Sequence, residues 1–474
     1  MINLGLLIFI NLLVKPFWIF GIDRTVQNVV GTEAYGLYFS LFNFSLILNI
    51  LLDVGITNFN NRNISQNDYL VTKHFSNVVV LKFLLGLVYF VVSFLLAFII
   101  GYDKIQIKLL LFLLFNQFLL SFILYMRSNL SALQYFTTDS IISVLDRLLM
   151  IIIVSVLLWG NVTNTPFKIE WFVYSQTIAY MTTAIIIFFV LNSKIDKVSL
   201  NFDFVFFLAF LKKTYPYALL ILLMTFYYRI DSVMIERLLQ DGKEQAGIYA
   251  QSFRVLDAIS MFAFLFSTLL LPMFSRMIKF KENIMSLLSL SFDLLIVPAI
   301  IFSITSHFFA NEIISLLYKS SLEESGMIFS VLMFSFVFIS ITYIYGTLLT
   351  ANGSIKELNL IAGGGVVLNF VLNLILIKYY KAYGAAIASL ITQAITALLQ
   401  VFIARKMFGF KFNVKRIFVY LSFVFLVLVT VFVFNEFSIG WTFKFFTIIF
   451  VSLILSILLK LWDIKAMYGI LRNE

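Results

Sequence analysis

Cysteine is absent from this chain of 474 residues, and histidine occurs only at positions 74 and 307. Disulfide and thiol chemistry are therefore closed to it. His74 and His307 fall in different loops, expected on opposite sides of a membrane, so a histidine-based metal site is excluded as well. Charge is scarce. Asp, Glu, Lys and Arg make up 12% of the residues, about half the share of a soluble domain. No P-loop, dinucleotide fingerprint or nucleophile elbow occurs. The loops between apolar runs are too short to hold a soluble catalytic domain, which argues against an enzyme. Proline is rare, with five copies, and Pro16 and Pro298 interrupt apolar runs. There they remove helix hydrogen bonds and favour bends.

What the chain does have is hydrophobic residues, 62% of the total. At roughly 20 residues per crossing, the apolar runs predict about fourteen spans. These run near 3–29, 35–58, 75–100, 108–130, 140–160, 169–192, 214–236, 247–272, 285–306, 326–350, 357–378, 383–405, 416–434 and 440–460. The first is expected to stay as a span. Met1-Ile2-Asn3-Leu4 carries no basic region, and no small-residue cleavage site follows.

The net charge of +10 is unevenly placed. Lys194, Lys197, Lys212, Lys213, Arg405, Lys406, Lys411, Lys415 and Arg416 all fall in loops on one side of this topology. The positive-inside rule makes that side cytoplasmic, together with both termini. Membrane topology and anionic lipid explain the basic balance without nucleic acid.

Two stretches about 210 positions apart read alike. Gly31-Thr32-Glu33-Ala34-Tyr35-Gly36-Leu37-Tyr38 matches Gly242-Lys243-Glu244-Gln245-Ala246-Gly247-Ile248-Tyr249 at Gly, Glu, Gly and Tyr. A connection repeated in two halves predicts a two-lobed membrane protein, the usual build of a transporter. The expected class is an all-α polytopic membrane protein with two pseudo-symmetric six-helix lobes and a C-terminal two-helix hairpin. The lobes are expected at 1–192 and 214–405, joined by a cytoplasmic linker at 193–213. The extra hairpin and tail occupy 406–474. The first glycine of each repeat is expected to end a helix in a left-handed cap, and the last tyrosine to fall at the membrane interface. Gly363-Gly364-Gly365, inside an apolar run, predicts close helix packing or a bend.

The spans also carry charge: Lys15, Asp53, Lys82, Asp146, Arg147, Arg229, Asp231, Arg254, Asp257 and Asp293. Each costs about 2.5–3.5 kcal/mol at a bilayer centre, which favours facing inward. Lys82 is expected to snorkel to the interface. Arg254 and Asp257, three apart, share a helix face and can pair. Arg229 and Asp231, two apart, point about 200° from each other. At least one of them therefore needs a partner elsewhere. Lys15, Arg24, Arg229 and Arg254 together predict a cationic lumen, suited to a phosphate-bearing substrate because the arginine fork binds two oxygens. Asp53, Asp231, Asp257 and Asp293 are candidates for ion coupling or gating, with Asp53 expected to pair with Arg62 or another basic residue.

The run Lys15-Pro16-Phe17-Trp18-Ile19-Phe20-Gly21-Ile22-Asp23-Arg24, continuing through the first octapeptide to Leu52-Asp53-Val54-Gly55-Ile56 and Arg62, carries a family resemblance. So do Asp231, Gly242, Glu244, Gly247, Tyr249 and Arg254, then Leu349-Thr350-Ala351-Asn352-Gly353, Asn369, Asn373 and Tyr383-Gly384-Ala385-Ala386. The chain resembles the polysaccharide transporter (O-antigen, Wzx-type flippase) branch of the superfamily of multidrug, oligosaccharide-lipid and polysaccharide exporters.

The resemblance implies a bacterial inner-membrane flippase. It would carry undecaprenyl-diphosphate-linked repeat units to the periplasmic leaflet by alternating access, for O-antigen, capsule or exopolysaccharide assembly. It implies no cofactor beyond a coupling H⁺ or Na⁺. The partners it implies are the lipid-linked glycan, membrane lipids, a polysaccharide polymerase and a chain-length regulator. A drug or cation antiporter of the same superfamily would want an acidic, aromatic cavity. A membrane glycosyltransferase or polymerase would want a large outer loop. A lipid II flippase is the nearest alternative.

Overall fold

A computed structural model describes residues 14, 16–57, 70–160, 162, 164–193, 204–410 and 413–462. Among them the chain is helical, without a strand, as expected for apolar runs whose backbone groups must be satisfied within each segment. It packs as two compact units, Met1–Gly247 and Ile248–Glu474.

The first unit opens with a π-helical turn, Phe17–Asp23, directly after Pro16. A wide turn beside a proline is one way a helix absorbs the missing hydrogen bond. Helix α1 (Arg24–Ile47) follows, broken at Gly31, whose φ of 83° and ψ of 170° interrupt it. That glycine has the positive φ that suits a residue without a Cβ, but its ψ lies outside the left-handed helical region, so it breaks the helix without forming the expected left-handed cap. The unit continues with α2 (Leu70–Ile100), α3 (Lys104–Ala132), α4 (Phe136–Trp159), α5 (Ile169–Asn192), α6 (Phe204–Leu238) and the start of α7 (Gly242–Phe280). Helix α6 begins ten residues before the expected span, so the linker at 193–213 narrows to a short segment, of which 194–203 lie outside the described residues. Helix α1 packs along α6 and α3, and α3 along α5. A core of Leu81, Leu85, Tyr125, Met126, Ile142 and Ile187 ties α2, α3, α4 and α5 together.

The second unit holds the remainder of α7, then α8 (Ile284–Phe308), α9 (Ala310–Leu317), α10 (Leu322–Ala351), α11 (Ile355–Phe408), α12 (Val414–Asn435) and α13 (Trp441–Leu458). Helix α11 pairs with α10, which also packs on α8 and α9. Helices α12 and α13 pair and lean on α8 through Val297, Ile301, Phe423, Val427 and Ile448.

Eleven of these helices are long and apolar enough to cross a membrane. Helix α11, at 54 residues, breaks at Lys381 (φ 50°, ψ −135°) and so supplies both spans expected at 357–378 and 383–405. The eleven helices thus hold twelve of the fourteen expected spans. Of the other two, 3–29 is described at 14 and 16–29, where it comprises the π-helical turn and the start of α1, and 35–58 corresponds to the arm of α1 after Gly31. The chain is a multi-pass all-α membrane protein.

Three local expectations fail. The break in α11 is at Lys381 and not at the glycine triplet. A Cβ on Gly363 or Gly364 would meet nothing within 4 Å, so these two are not there for close packing, whereas the third, Gly365, is buried. The tyrosines closing the two octapeptides do not lie at an interface, because Tyr38 and Tyr249 are 2% and 1% exposed. And Gly242, unlike Gly31, has no positive φ. It is a glycine for want of space, because a Cβ there would crowd the Ile235 carbonyl oxygen to 2.7 Å.

The two octapeptides meet within the first unit. A Cβ on Gly36 would press on the Lys243 carbonyl and reach 3.0 Å from Gly247 Cα. A Cβ on Gly247 would press on the Thr32 carbonyl and reach 3.0 Å from Thr32 Cα. The second glycine of each copy therefore lets the other backbone in, a reciprocal small-residue crossing. Gln27 Nε2 adds a 2.9 Å hydrogen bond to the Gly247 carbonyl.

Candidate functional site: buried charge in the first unit

Arg24 is the first residue of α1, directly after the π-helical turn. Its Nε is buried and has no hydrogen-bond partner among the described residues. The adjacent Asp23 is 3% exposed and accepts a 2.8 Å hydrogen bond from Tyr35 Oη, the first tyrosine of the repeat. Arg229 lies on α6, which packs along α1. It is half-buried, donates Nη1 to Asn43 Oδ1 at 3.3 Å, and stands 5.0 Å from the centre of the Tyr228 ring. A partner on another helix is what its two-residue offset from Asp231 requires. Asp231 itself is 1% exposed. Arg24 and Arg229 are thus on neighbouring helices of one unit. Lys15 lies outside the described residues. Arg254 and Asp257 share a face of α7 in the second unit, both half-buried.

Asp53 pairs with Lys82, and Arg62 lies outside the described residues. Lys82 does not snorkel. It is 1% exposed and also donates to the Leu52 carbonyl and Ser121 Oγ, each at 3.0 Å. Three acceptors thus surround the buried ammonium group, which satisfies its donors in an apolar setting. Asp53 in turn accepts from Thr57 Oγ1. Removing one member of such a pair strands the other. Asp53→Ala is therefore expected to lower unfolding free energy in detergent by about 3–5 kcal/mol. Adding Lys82→Met should restore most of the loss. A double variant as unstable as the single one would place the role of Asp53 elsewhere.

In the second unit Asp293, 3% exposed on α8, receives Arg416 Nη2 and Tyr420 Oη from α12, while Arg416 also reaches Ser289. Both of its carboxylate oxygens are engaged, and the contacts pin the C-terminal hairpin to α8.

Two further clusters were not among the predicted site residues, although Asp146 and Arg147 stood among the span charges. Arg147 on α4 sits 5.7 Å from the Trp18 ring and 5.9 Å from the Tyr180 ring, and donates to Tyr180 Oη at 3.1 Å. Its sequence neighbour Asp146 comes only to 4.0 Å. An arginine caged by aromatic faces is held by its quadrupole neighbours as much as by a carboxylate. The second cluster closes one end of the unit. Asp103 and Gln106 form a capping box at the start of α3. Gln106 Nε2 also donates to Glu236 Oε1, and Arg237 Nη2 donates to Gln106 Oε1, both at 2.8 Å. Arg237 further donates to the Gly101 carbonyl at 3.2 Å and covers the Tyr102 ring at 4.6 Å. Burial pushes the Tyr102 hydroxyl pKa up, with Glu236 adding to the rise and Arg237 opposing it. The α2–α3 loop is thereby clipped to the end of α6. Among the described residues, no three Asp, Glu or His side chains gather as a metal site.

Comparison with known proteins places this architecture. A family model described as polysaccharide biosynthesis protein matches residues 7–278. An uncharacterized membrane protein of Methanocaldococcus jannaschii is 24% identical over 393 residues, covering 79% of this chain and 90% of that protein. The lipid II flippase MurJ, in an inward closed conformation, has a TM-score of 0.74 at 17% identity, covering 95% of this chain and 98% of its own. A multidrug resistance MATE family transporter of the MOP superfamily, inward-facing, gives 0.62 at 17% identity over 82% of this chain and 94% of its own. A MOP superfamily transporter from Pyrococcus furiosus gives 0.56 at 17% identity over 86% and 93%. At these identities the solved structures share the fold alone. The family match covers more than half of the sequence, and the chain belongs to the polysaccharide biosynthesis protein family.

Proposed function

We propose that this protein is a flippase for undecaprenyl-diphosphate-linked oligosaccharide repeat units. It would move them from the cytoplasmic to the periplasmic leaflet of a bacterial inner membrane by alternating access, with both termini cytoplasmic. The products would feed O-antigen, capsule or exopolysaccharide assembly, where a polymerase and a chain-length regulator would act on them. The observation that carries this reading is Arg24, whose Nε is buried without a partner among the described residues. A buried guanidinium nitrogen left open needs an explanation, and a diphosphate is the anion its fork fits. Arg229 on the packed neighbour helix supports it. Lys15 and Arg254 are further candidates for the same head group. Asp231 and Asp257 are candidates for a coupling H⁺ or Na⁺. Transport of this kind needs no catalytic residue in the protein.

The similarity to a lipid II flippase over 95% of this chain favours a second reading, in which the cargo is lipid II. Both cargoes present a polyprenyl diphosphate, so the first test concerns which glycan accumulates. Depleting the protein in its host is expected to remove surface polysaccharide and to trap the lipid-linked repeat unit on the cytoplasmic leaflet, out of reach of a periplasmic hydrolase. Trapped lipid II with normal polysaccharide would decide for the second reading. Neither lipid trapped would defeat both.

A further inference from the structure

We propose that Trp18, Asp146, Arg147 and Tyr180 of the first unit form a subsite for an uncharged sugar ring of the transported glycan. The subsite rests on the flippase reading and adds to it a contact apart from the diphosphate.

The four side chains come from three elements. Trp18 stands on the π-helical turn, Asp146 and Arg147 on α4, and Tyr180 on α5. The outer face of α4 is marked by a stripe of exposed apolar residues, Ile141, Leu148, Ile152 and Val156. At about 100° per residue, Arg147 lies about 135° around the helix from the middle of that stripe. Tyr180 likewise lies on the side of α5 away from exposed Ile178, Met181 and Ile185. Yet 26% of the Arg147 side chain is exposed. That surface therefore opens on a recess inside the unit and not on its outer face.

The bonding capacity left over identifies the ligand. Arg147 spends Nη1 on Tyr180 Oη at 3.1 Å and on the Met150 sulfur at 3.9 Å. Its Nε and Nη2 donate to nothing among the described residues, because the Asp146 carboxylate stands off at 4.0 Å, beyond hydrogen-bond length. Asp146 is 7% exposed. Its Oδ1 accepts from the Arg147 backbone N–H at 2.8 Å, and its Oδ2 accepts no hydrogen bond among the described residues. A buried oxygen left open needs an explanation. Tyr180 accepts from Arg147 and keeps its own proton to give. Two donors beside one acceptor match sugar hydroxyls, each of which donates and accepts. Trp18 supplies an apolar wall. It is half-buried, is backed by the Phe172 ring stacked at 5.6 Å, and stands 5.7 Å from the guanidinium. Aromatic surface with a few fixed polar groups is the usual make-up of a small-ligand site.

Charge decides between a sugar ring and an anion. Asp146 balances Arg147, so an entering carboxylate or phosphate would face a like charge at close range. An uncharged ring meets no such penalty.

The test uses the full chain, purified in detergent, and three probes. These are undecaprenyl diphosphate, the same lipid carrying N-acetylglucosamine, and the same lipid carrying glucuronic acid. Microscale thermophoresis gives the affinities. The parent is expected to bind the N-acetylglucosamine lipid about tenfold tighter than the bare lipid, the gain from one or two hydrogen bonds. Arg147→Gln is expected to cut that preference to about twofold. Its affinity for the bare lipid should stay unchanged, which also reports a folded protein. Tyr180→Phe removes one hydroxyl with little change of shape and is expected to cut the preference about threefold. It keeps the test decisive if Arg147→Gln does not fold. Equal affinity of the parent for the bare and N-acetylglucosamine lipids would overturn the subsite and leave the flippase reading standing. So would full preference in both variants. Tighter binding of the glucuronic acid lipid would make Arg147 an anion site and overturn the proposal as well. Binding of none of the three would defeat the flippase reading, and the subsite with it.

Discussion

Arg24→Ala is expected to reduce export of the lipid-linked glycan by about 10- to 150-fold, with the protein still in the membrane at its normal level. The magnitude follows from the loss of one charge-assisted hydrogen bond, about 1.5–3 kcal/mol. The sign of the stability change distinguishes this from misfolding. Arg24 Nε is buried without a partner among the described residues, and a buried unsatisfied group costs stability. Its removal should leave the unfolding temperature unchanged or raise it, the exchange of activity for stability common at binding sites. Arg24→Lys should recover only part of the export, because an ammonium keeps the charge and loses the planar fork. Arg229→Ala is expected to act in the same direction and more weakly, since Asn43 already takes one of its donors. Lys279→Ala, at an exposed site near the end of α7, should export normally. Surface polysaccharide measured per cell checks each variant. Full export by Arg24→Ala protein would remove the diphosphate site from α1.

How far the sequence speaks depends on which physical signal each feature leaves. Span number and order were legible because they rest on length and apolarity alone, and twelve expected segments coincide with observed helices. Facing was not legible. A helix that is apolar nearly all round has no stripe to say which side meets protein, so Lys82 read as a snorkelling residue and is instead fully enclosed. Its partner Asp53 is 29 positions away, and the partner of Asp293 is 123 positions away. Periodicity carries no record of such pairs. The need for a distant partner could be read in one case: Arg229 and Asp231 cannot face each other on one helix, and Arg229 finds Asn43. Glycine was legible as a position and ambiguous as a cause. Gly31 serves its φ and Gly242 serves a close approach, while Gly363 and Gly364 serve neither contact.

The second large effect concerns the crossing of the two repeats. Gly36→Ala is expected to reduce folded, membrane-extracted protein by more than tenfold, and Gly247→Ala to do the same. In each case the added carbon meets main-chain atoms of the facing copy, Lys243 and Gly247 in one direction and Thr32 in the other. A flexible side chain could swing aside, whereas a helix backbone moves only with its whole segment. Overpacking of a tight interior costs about 1–3 kcal/mol where side chains give way, and more where they do not. The helices would have to separate, which also breaks the bond from Gln27 to the Gly247 carbonyl. The two substitutions should not add. Once α1 and the start of α7 are apart, the second methyl finds room, so Gly36→Ala with Gly247→Ala should be little worse than either alone. Gly363→Ala and Gly364→Ala, each facing open space, should fold as well as the parent or better, since alanine favours the helix by about 1 kcal/mol. Size-exclusion yield and thermal unfolding would measure all five proteins. Normal yield from Gly36→Ala would mean that the repeated glycines are not the point where the duplicated segments lock.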